Sequence, residues 1–215
     1  MKKEILVADD HAIIRDGVKK ILADTTDFIV AGEAANGAET IERVRERSWD
    51  LLVLDLSMPG RSGVELIKQV KAEQPKLPIL VFSMHPEEQY AVRSIRAGAS
   101  GYLSKEADSD LLLPAMRKLA AGGAYISPKV AELLALERGS RESVNPHKTL
   151  SDREFDIFQR IVSGVSMTEI ADALCLSIKT VSTHKTHILA KLHLTGQVDL
   201  VRYAIEHKLL DLRAE

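Results

Sequence analysis

Five short apolar runs, separated by amphipathic segments, constrain this chain more than any other feature in it. The runs are Ile5–Ala8, Phe28–Ala34, Leu51–Leu54, Ile79–Ser83 and Gly101–Leu103. Apolar residues recur at helical spacing near His11–Ala23, Ala38–Arg47, Ser62–Glu73, Pro86–Ala97 and Ser109–Ala121. Several runs are nearly unbroken Val, Ile and Leu, as in strands covered on both faces. Strand and helix alternating five times predict a doubly wound α/β domain built on a five-stranded parallel sheet. Gly32, Gly37, Gly98 and Gly101 punctuate the joins.

The alternation stops at Gly122 and Gly123. "SPKVAELLALERG" follows, where Ser127 can cap a short helix and Pro128 suits its first turn. "SRESVNPHKT" is polar, carries Asn-Pro, and reads as a linker. The expected organisation is a first domain over 1–123, a linker with a short helix over 124–148, and an all-α domain over 149–215. "SDRE" at Ser151–Glu154 and "SMTE" at Ser166–Glu169 are capping boxes. Gly164 should stop the first of these helices, and Ser177 should cap a helix over Ile178–Leu192. A last helix near Gln197–His207 has Val198, Val201, Ala204 and Ile205 on the face expected to complete the core. Helices near Met167–Leu174 and Ile178–Leu192, joined by "CLS", have the spacing of a helix-turn-helix. Phe155, Phe158, Ile161, Ile170, Leu174, Ile178, Val181, Ile188 and Leu192 are expected to face inward.

A length of 215 residues suits two modest domains. With 45% hydrophobic and 28% charged residues, the composition is that of a soluble globular protein. The single cysteine, Cys175, excludes an internal disulfide and fits a reducing compartment. No stretch is long and apolar enough to span a membrane, so a cytoplasmic protein is expected. A net charge of −2 does not announce a nucleic-acid binder. Ser177–Leu192, however, carries Lys179, Lys185 and Lys191 and no acid, a local basic helix that can meet phosphates. Lys179, Ser182, Thr183 and Thr186 lie off its apolar stripe, and short polar or basic side chains suit a major-groove face. Lys185 is better placed for phosphate, as a flexible point charge.

In open parallel sheets, ligands bind beyond the carboxyl ends of the strands, at a switch in strand order. Here those ends carry Asp9 and Asp10, Asp55, Ser83 and Lys105. In a flavodoxin-like order 2-1-3-4-5 the three aspartates share one patch, where they cannot all stay ionised without a cation. Mg²⁺ suits such a site, because it takes oxygen ligands and needs few carboxylates. Asp55 is then placed to act as a nucleophile toward phosphorus. The metal and Lys105 would neutralise the phosphoryl oxygens, and the Ser83 hydroxyl would donate a hydrogen bond.

These residues resemble a known family. "DDHAIIRDG", "DLSMPGRSG", Ser83 and Lys105 together look like the receiver domain of bacterial two-component response regulators, in the form used by the NarL/FixJ subfamily. The resemblance implies that a sensor histidine kinase phosphorylates Asp55. It also implies that Asp10 ligates Mg²⁺ directly, with Asp9 acting through water and the Ser57 backbone carbonyl as a further ligand. Lys105 would pair with the phosphoryl group, and Ser83 and Tyr102 would be a switch pair. Glu106 stands where proline, often after a cis bond, is common in the wider family. "LSDREFDIFQRIVSGVSMTEIADALCLSIKTVSTHKTHILAKL" resembles the LuxR-type helix-turn-helix, departing from it at Met167, Thr168 and His187. Its implied contacts with double-stranded DNA are Lys179, Thr180, Ser182, Thr183, Lys185 and Thr186. The implied protein is a phosphorylation-dependent regulator that dimerises on inverted promoter half-sites and is not an enzyme beyond autodephosphorylation. The alternative is a phosphorylation-independent regulator whose receiver only dimerises. A phosphatase of the haloacid dehalogenase type would need an aspartate at the position of Ser57.

Overall fold

The computed structural model describes residues 2–60, 63–139 and 146–210. The expected helix start at Ser62 and residues 140–145 of the expected linker lie outside them. Two compact units result, Met1–Arg138 and Gly139–Glu215.

The first unit alternates as expected: β1 (Lys3–Ala8), α1 (Ala12–Ala23), β2 (Phe28–Ala34), α2 (Gly37–Glu46), β3 (Leu51–Leu54), α3 (Gly63–Glu73), β4 (Ile79–Ser83), α4 (Glu87–Arg96), β5 (Gly101–Ser104) and α5 (Leu112–Ala120). The strands form one parallel sheet in the order β2-β1-β3-β4-β5. Successive side chains leave a strand on opposite faces. Ile5 and Val7 therefore join Leu22, Met116 and Leu119 in a core under α1 and α5, while Leu6, Leu52 and Leu54 are as deeply buried toward the other face. A short 3-10 turn, Ser109–Leu111, leads into α5, because the Asp108 side chain caps it at the Asp110 N–H. Ser127 caps α6 (Pro128–Gly139) at the Val130 N–H, as expected.

The second unit is helical: a 3-10 turn at Pro146–Thr149, then α7 (Asp152–Val162), α8 (Met167–Ala173), α9 (Ile178–Leu192) and α10 (Gln197–Glu206). Both capping boxes form, at Ser151/Glu154 and Ser166/Glu169. Phe155, Phe158, Ile161, Ile170, Val181, Ile188 and Leu192 make the core. Ile178 does not join it and is 52% exposed, because it occupies the first turn of α9, beyond its neighbours. The α10 face differs from expectation in part: Ala204 is buried as expected, but Val198 and Ile205 are exposed, and Leu200 and Tyr203 are buried instead. The Tyr203 ring packs edge-on against Phe158, so the aromatic stripe turns inward and the Val198–Ile205 stripe outward.

At the sheet edge, Trp49 lies beneath the Arg47 guanidinium, 4.1 Å from ring centroid to Cζ, and donates to the Arg43 carbonyl. Its indole fills the space in which a side chain at Gly32 would stand. Gly32→Ala is expected to lower the unfolding free energy of the first unit by about 1–3 kcal/mol through overpacking, read from urea denaturation.

Candidate functional site

Strand order places the carboxylates. β1 and β3 are neighbours, with Ala8 opposite Leu54, so Asp9 and Asp55 emerge side by side from the same sheet edge. The Asp55 N–H donates to the Ala8 carbonyl at 2.8 Å. Ser83 pairs with Ser104 across β4 and β5, which brings Lys105 to the same edge. Its ammonium lies 2.6 Å from Asp9 Oδ2 and 2.9 Å from Asp55 Oδ2, and all three side chains are buried. One cation thus serves two buried carboxylates, and the desolvation cost is met by charge-assisted hydrogen bonds.

Lys105 does not satisfy the whole cluster. Asp55 Oδ1 and Asp10 Oδ1 are buried and have no hydrogen-bond donor. Asp10 Oδ1 lies 2.9 Å from His11 Nδ1, an ion-pair distance without hydrogen-bond geometry. One ligating atom each from Asp9, Asp10, His11 and Asp55 falls within 4.8 Å of the others. Acceptor oxygens without donors at this spacing fit a hard divalent cation. Arg15 braces the loop by donating to the Asp9 carbonyl and to Glu33.

His85 is a site residue that no sequence motif singled out. Its ring contacts Ser57 Oγ through Nε2 at 3.2 Å and stacks on Tyr90 with centroids 4.2 Å apart. Its N–H donates to Ser83 Oγ at 3.4 Å, and its carbonyl accepts from the Tyr102 hydroxyl at 2.8 Å. Ser83 and Tyr102 therefore meet on one backbone unit. Burial holds the Tyr102 phenol well above its ordinary pKa, so it stays a donor. The Lys105–Glu106 peptide is trans, since no cis bond occurs among the described residues.

In the second unit, Lys179, Thr180, Ser182, Thr183 and Thr186 are all exposed on α9. Thr180 is engaged with the cap, 2.8 Å from Ser177 Oγ, and Lys185 donates to Gln197 on α10. Lys191 donates to Glu154, locking α9 to α7. Burial pushes the Glu154 carboxyl up, but the Lys191 and Ser151 hydrogen bonds outweigh it and hold the group below its usual range. His184 has a buried Nδ1 without a partner.

Residues 5–117 match the response regulator receiver domain, and residues 148–204 match the bacterial regulatory proteins of the luxR family. The chain is a response regulator. This response regulator is 38% identical over 215 residues to the oxygen regulatory protein NreC of Staphylococcus carnosus, covering 97% of this chain and 99% of that one. The Staphylococcus haemolyticus NreC is 39% identical with the same coverage. Among solved structures, Salmonella typhimurium RcsB matches with a TM-score of 0.72 at 27% identity, over 95% of this chain and 98% of RcsB. RcsB bound to the promoter rprA, in the presence of a phosphomimetic, matches with a TM-score of 0.67 at 28% identity, over 94% and 98% of the two chains. The architecture places the response regulator in the NarL/FixJ class, with the receiver first and the LuxR-type helices after it.

Two outcomes follow for this response regulator. Lys105→Met leaves Asp9 and Asp55 buried without their cation and is expected to cost about 3–5 kcal/mol of receiver stability in metal-free urea denaturation. The second concerns pH. Burial, aided by the Arg153 charge, holds the His184 imidazole below its ordinary pKa of 6.5. The unfolded chain then binds a proton that folded His184 refuses as pH falls through about 6.5, so His184 makes the fold less stable in acid. His184→Gln is expected to weaken the acid dependence of the urea midpoint.

Proposed function

We propose that this response regulator is a DNA-binding transcription regulator of a bacterial two-component system, switched by phosphoryl transfer from a sensor histidine kinase to Asp55. The observation that carries the reading is the buried Asp9–Lys105–Asp55 bridge beside an Asp55 oxygen that no donor reaches. In the transfer an Asp55 carboxylate oxygen forms the new O–P bond. The P–N bond to the kinase histidine breaks, and the nitrogen keeps the electron pair. Mg²⁺, when bound, supplies charge neutralisation at the phosphoryl oxygens. The residues that would hold it are Asp10, Asp55 and the Ser57 backbone carbonyl, with Asp9 through water. The orphaned oxygens of Asp10 and Asp55 support that assignment.

Lys105 keeps Asp9 and turns its second contact to the phosphoryl group. Ser83 donates its hydroxyl proton to the same group, and Tyr102 follows through the shared backbone at His85. The phosphoaspartate is lost by its own hydrolysis, in which water takes up the phosphoryl group as phosphate and the Asp55 carboxylate is restored. The working domains are a receiver over 1–123, a linker over 124–148 and a DNA-binding domain over 149–215, acting in the cytoplasm. Lys179, Thr180, Ser182, Thr183, Lys185 and Thr186 supply the DNA contacts. Two phosphorylated copies bind inverted half-sites about one DNA turn apart. The RcsB structures on promoter DNA with a phosphomimetic support both the DNA and the phosphorylation parts of this reading.

Gel shifts on genomic fragments captured by the protein test it, with acetyl phosphate and Mg²⁺ added or withheld. Phosphorylation is expected to tighten binding about 5- to 150-fold and to produce dimers, and Asp55→Asn or a chelator to abolish both effects. Equal affinity and oligomeric state in all conditions would overturn the switch.

A further inference from the structure

The outward face of α9 is built from Lys179, Ser182, Thr183 and Thr186, which recur at helical spacing opposite the buried Val181, Ile188 and Leu192. Two of the four do not offer the chemistry their residue type suggests. The Thr183 hydroxyl donates to the Lys179 carbonyl at 3.0 Å, and the Thr186 hydroxyl donates to the Ser182 carbonyl at 3.2 Å. Each hydroxyl proton is thus used within the helix, one turn back. A threonine Cβ carries one other side-chain substituent, the methyl group. With Oγ1 turned onto the backbone, the methyl is what each exposed threonine presents outward, together with an oxygen that can only accept.

The major groove offers one base-borne methyl, at C5 of thymine. The other groove features that distinguish bases are acceptors, for which these threonines have no free donor, and donors, which would meet only an oxygen turned toward the helix backbone. Their shortness matters as well: a Thr methyl reaches a base edge only where the helix lies close. α9 carries no acidic residue to oppose such an approach to phosphates.

Resting on the DNA-binding reading above, we infer that Thr183 and Thr186 are specificity residues that recognise thymine by methyl-to-methyl contact, with their hydroxyls kept on the helix. Sequence preference at these positions is then apolar, although every side chain involved is classed as polar.

The experiment uses the full-length phosphorylated protein. Selection from random duplex DNA supplies the bound site, and each thymine of the half-site is then replaced singly by uracil, which lacks only the C5 methyl. At the contacted thymines the wild-type protein is expected to bind the uracil duplex about fourfold more weakly. Thr183→Val and Thr186→Val keep the methyl and lose the hydroxyl, so they should keep both the affinity and the thymine-over-uracil preference. Thr183→Ser and Thr186→Ser keep the hydroxyl and lose the methyl, so each should bind the thymine site about fourfold more weakly and lose that preference at its own base. Equal wild-type affinity for every thymine and uracil duplex, selected half-sites without thymine, or valine variants that lose the preference while serine variants keep it would each overturn the inference and leave DNA binding intact. Failure of the phosphorylated protein to capture any DNA would overturn the DNA-binding reading and this inference with it.

Discussion

One buried ammonium holds the receiver's working edge together. Lys105 sits between Asp9 and Asp55, and each of these three residues comes from the end of a different strand. Two carboxylates this close and this dry repel each other unless a cation lies between them. The strand order does the rest, because with β1 beside β3 the two aspartates are neighbours on that edge. Sheet, loops and site are therefore one electrostatic object, because the contact that joins Asp9 to Asp55 also ties the ends of three strands together.

The second unit solves a smaller problem with the same tools. Its helices are short, and short helices are marginal without tertiary support. Capping boxes begin α7 and α8, and Glu154 has two roles: its carboxylate closes the Ser151 cap and receives Lys191 from α9. α9 is thereby anchored through Lys191 to α7, while Lys179, Ser182, Thr183 and Thr186 stay exposed on its opposite face. His184, on the same helix with a buried unpartnered nitrogen, is the least comfortable group in that anchor.

Much of this was legible in the chain. Apolar runs located all five strands, though β1 begins two residues earlier than its apolar run, because Lys3 and Glu4 pair with Phe28 and Ile29 as part of the ladder. Polar residues at strand ends pointed to Asp9, Asp10, Asp55, Ser83 and Lys105, and strand topology accounts for where the structure puts them. Periodicity was less reliable on α10. It identifies apolar stripes but not which of two stripes finds a partner, and Tyr203 with Leu200 displaced the expected Val198–Ile205 face. Ile178 shows the same limit at a helix end. His85 was invisible for a different reason: what Tyr102 engages is its backbone carbonyl, a group every residue carries.

That last contact has a consequence for how such a protein can diverge. Tyr102 reads the position of the loop at residue 85 through the main chain, while the imidazole at the same residue faces Ser57 and Tyr90. Loop position and local side-chain chemistry are thus separable. A lineage can exchange the residue at 85, and so retune what lies over the acidic edge, without rewiring the link to Tyr102. The link to Tyr102 and the contacts over Ser57 use different atoms of one amino acid, so selection can change one and keep the other.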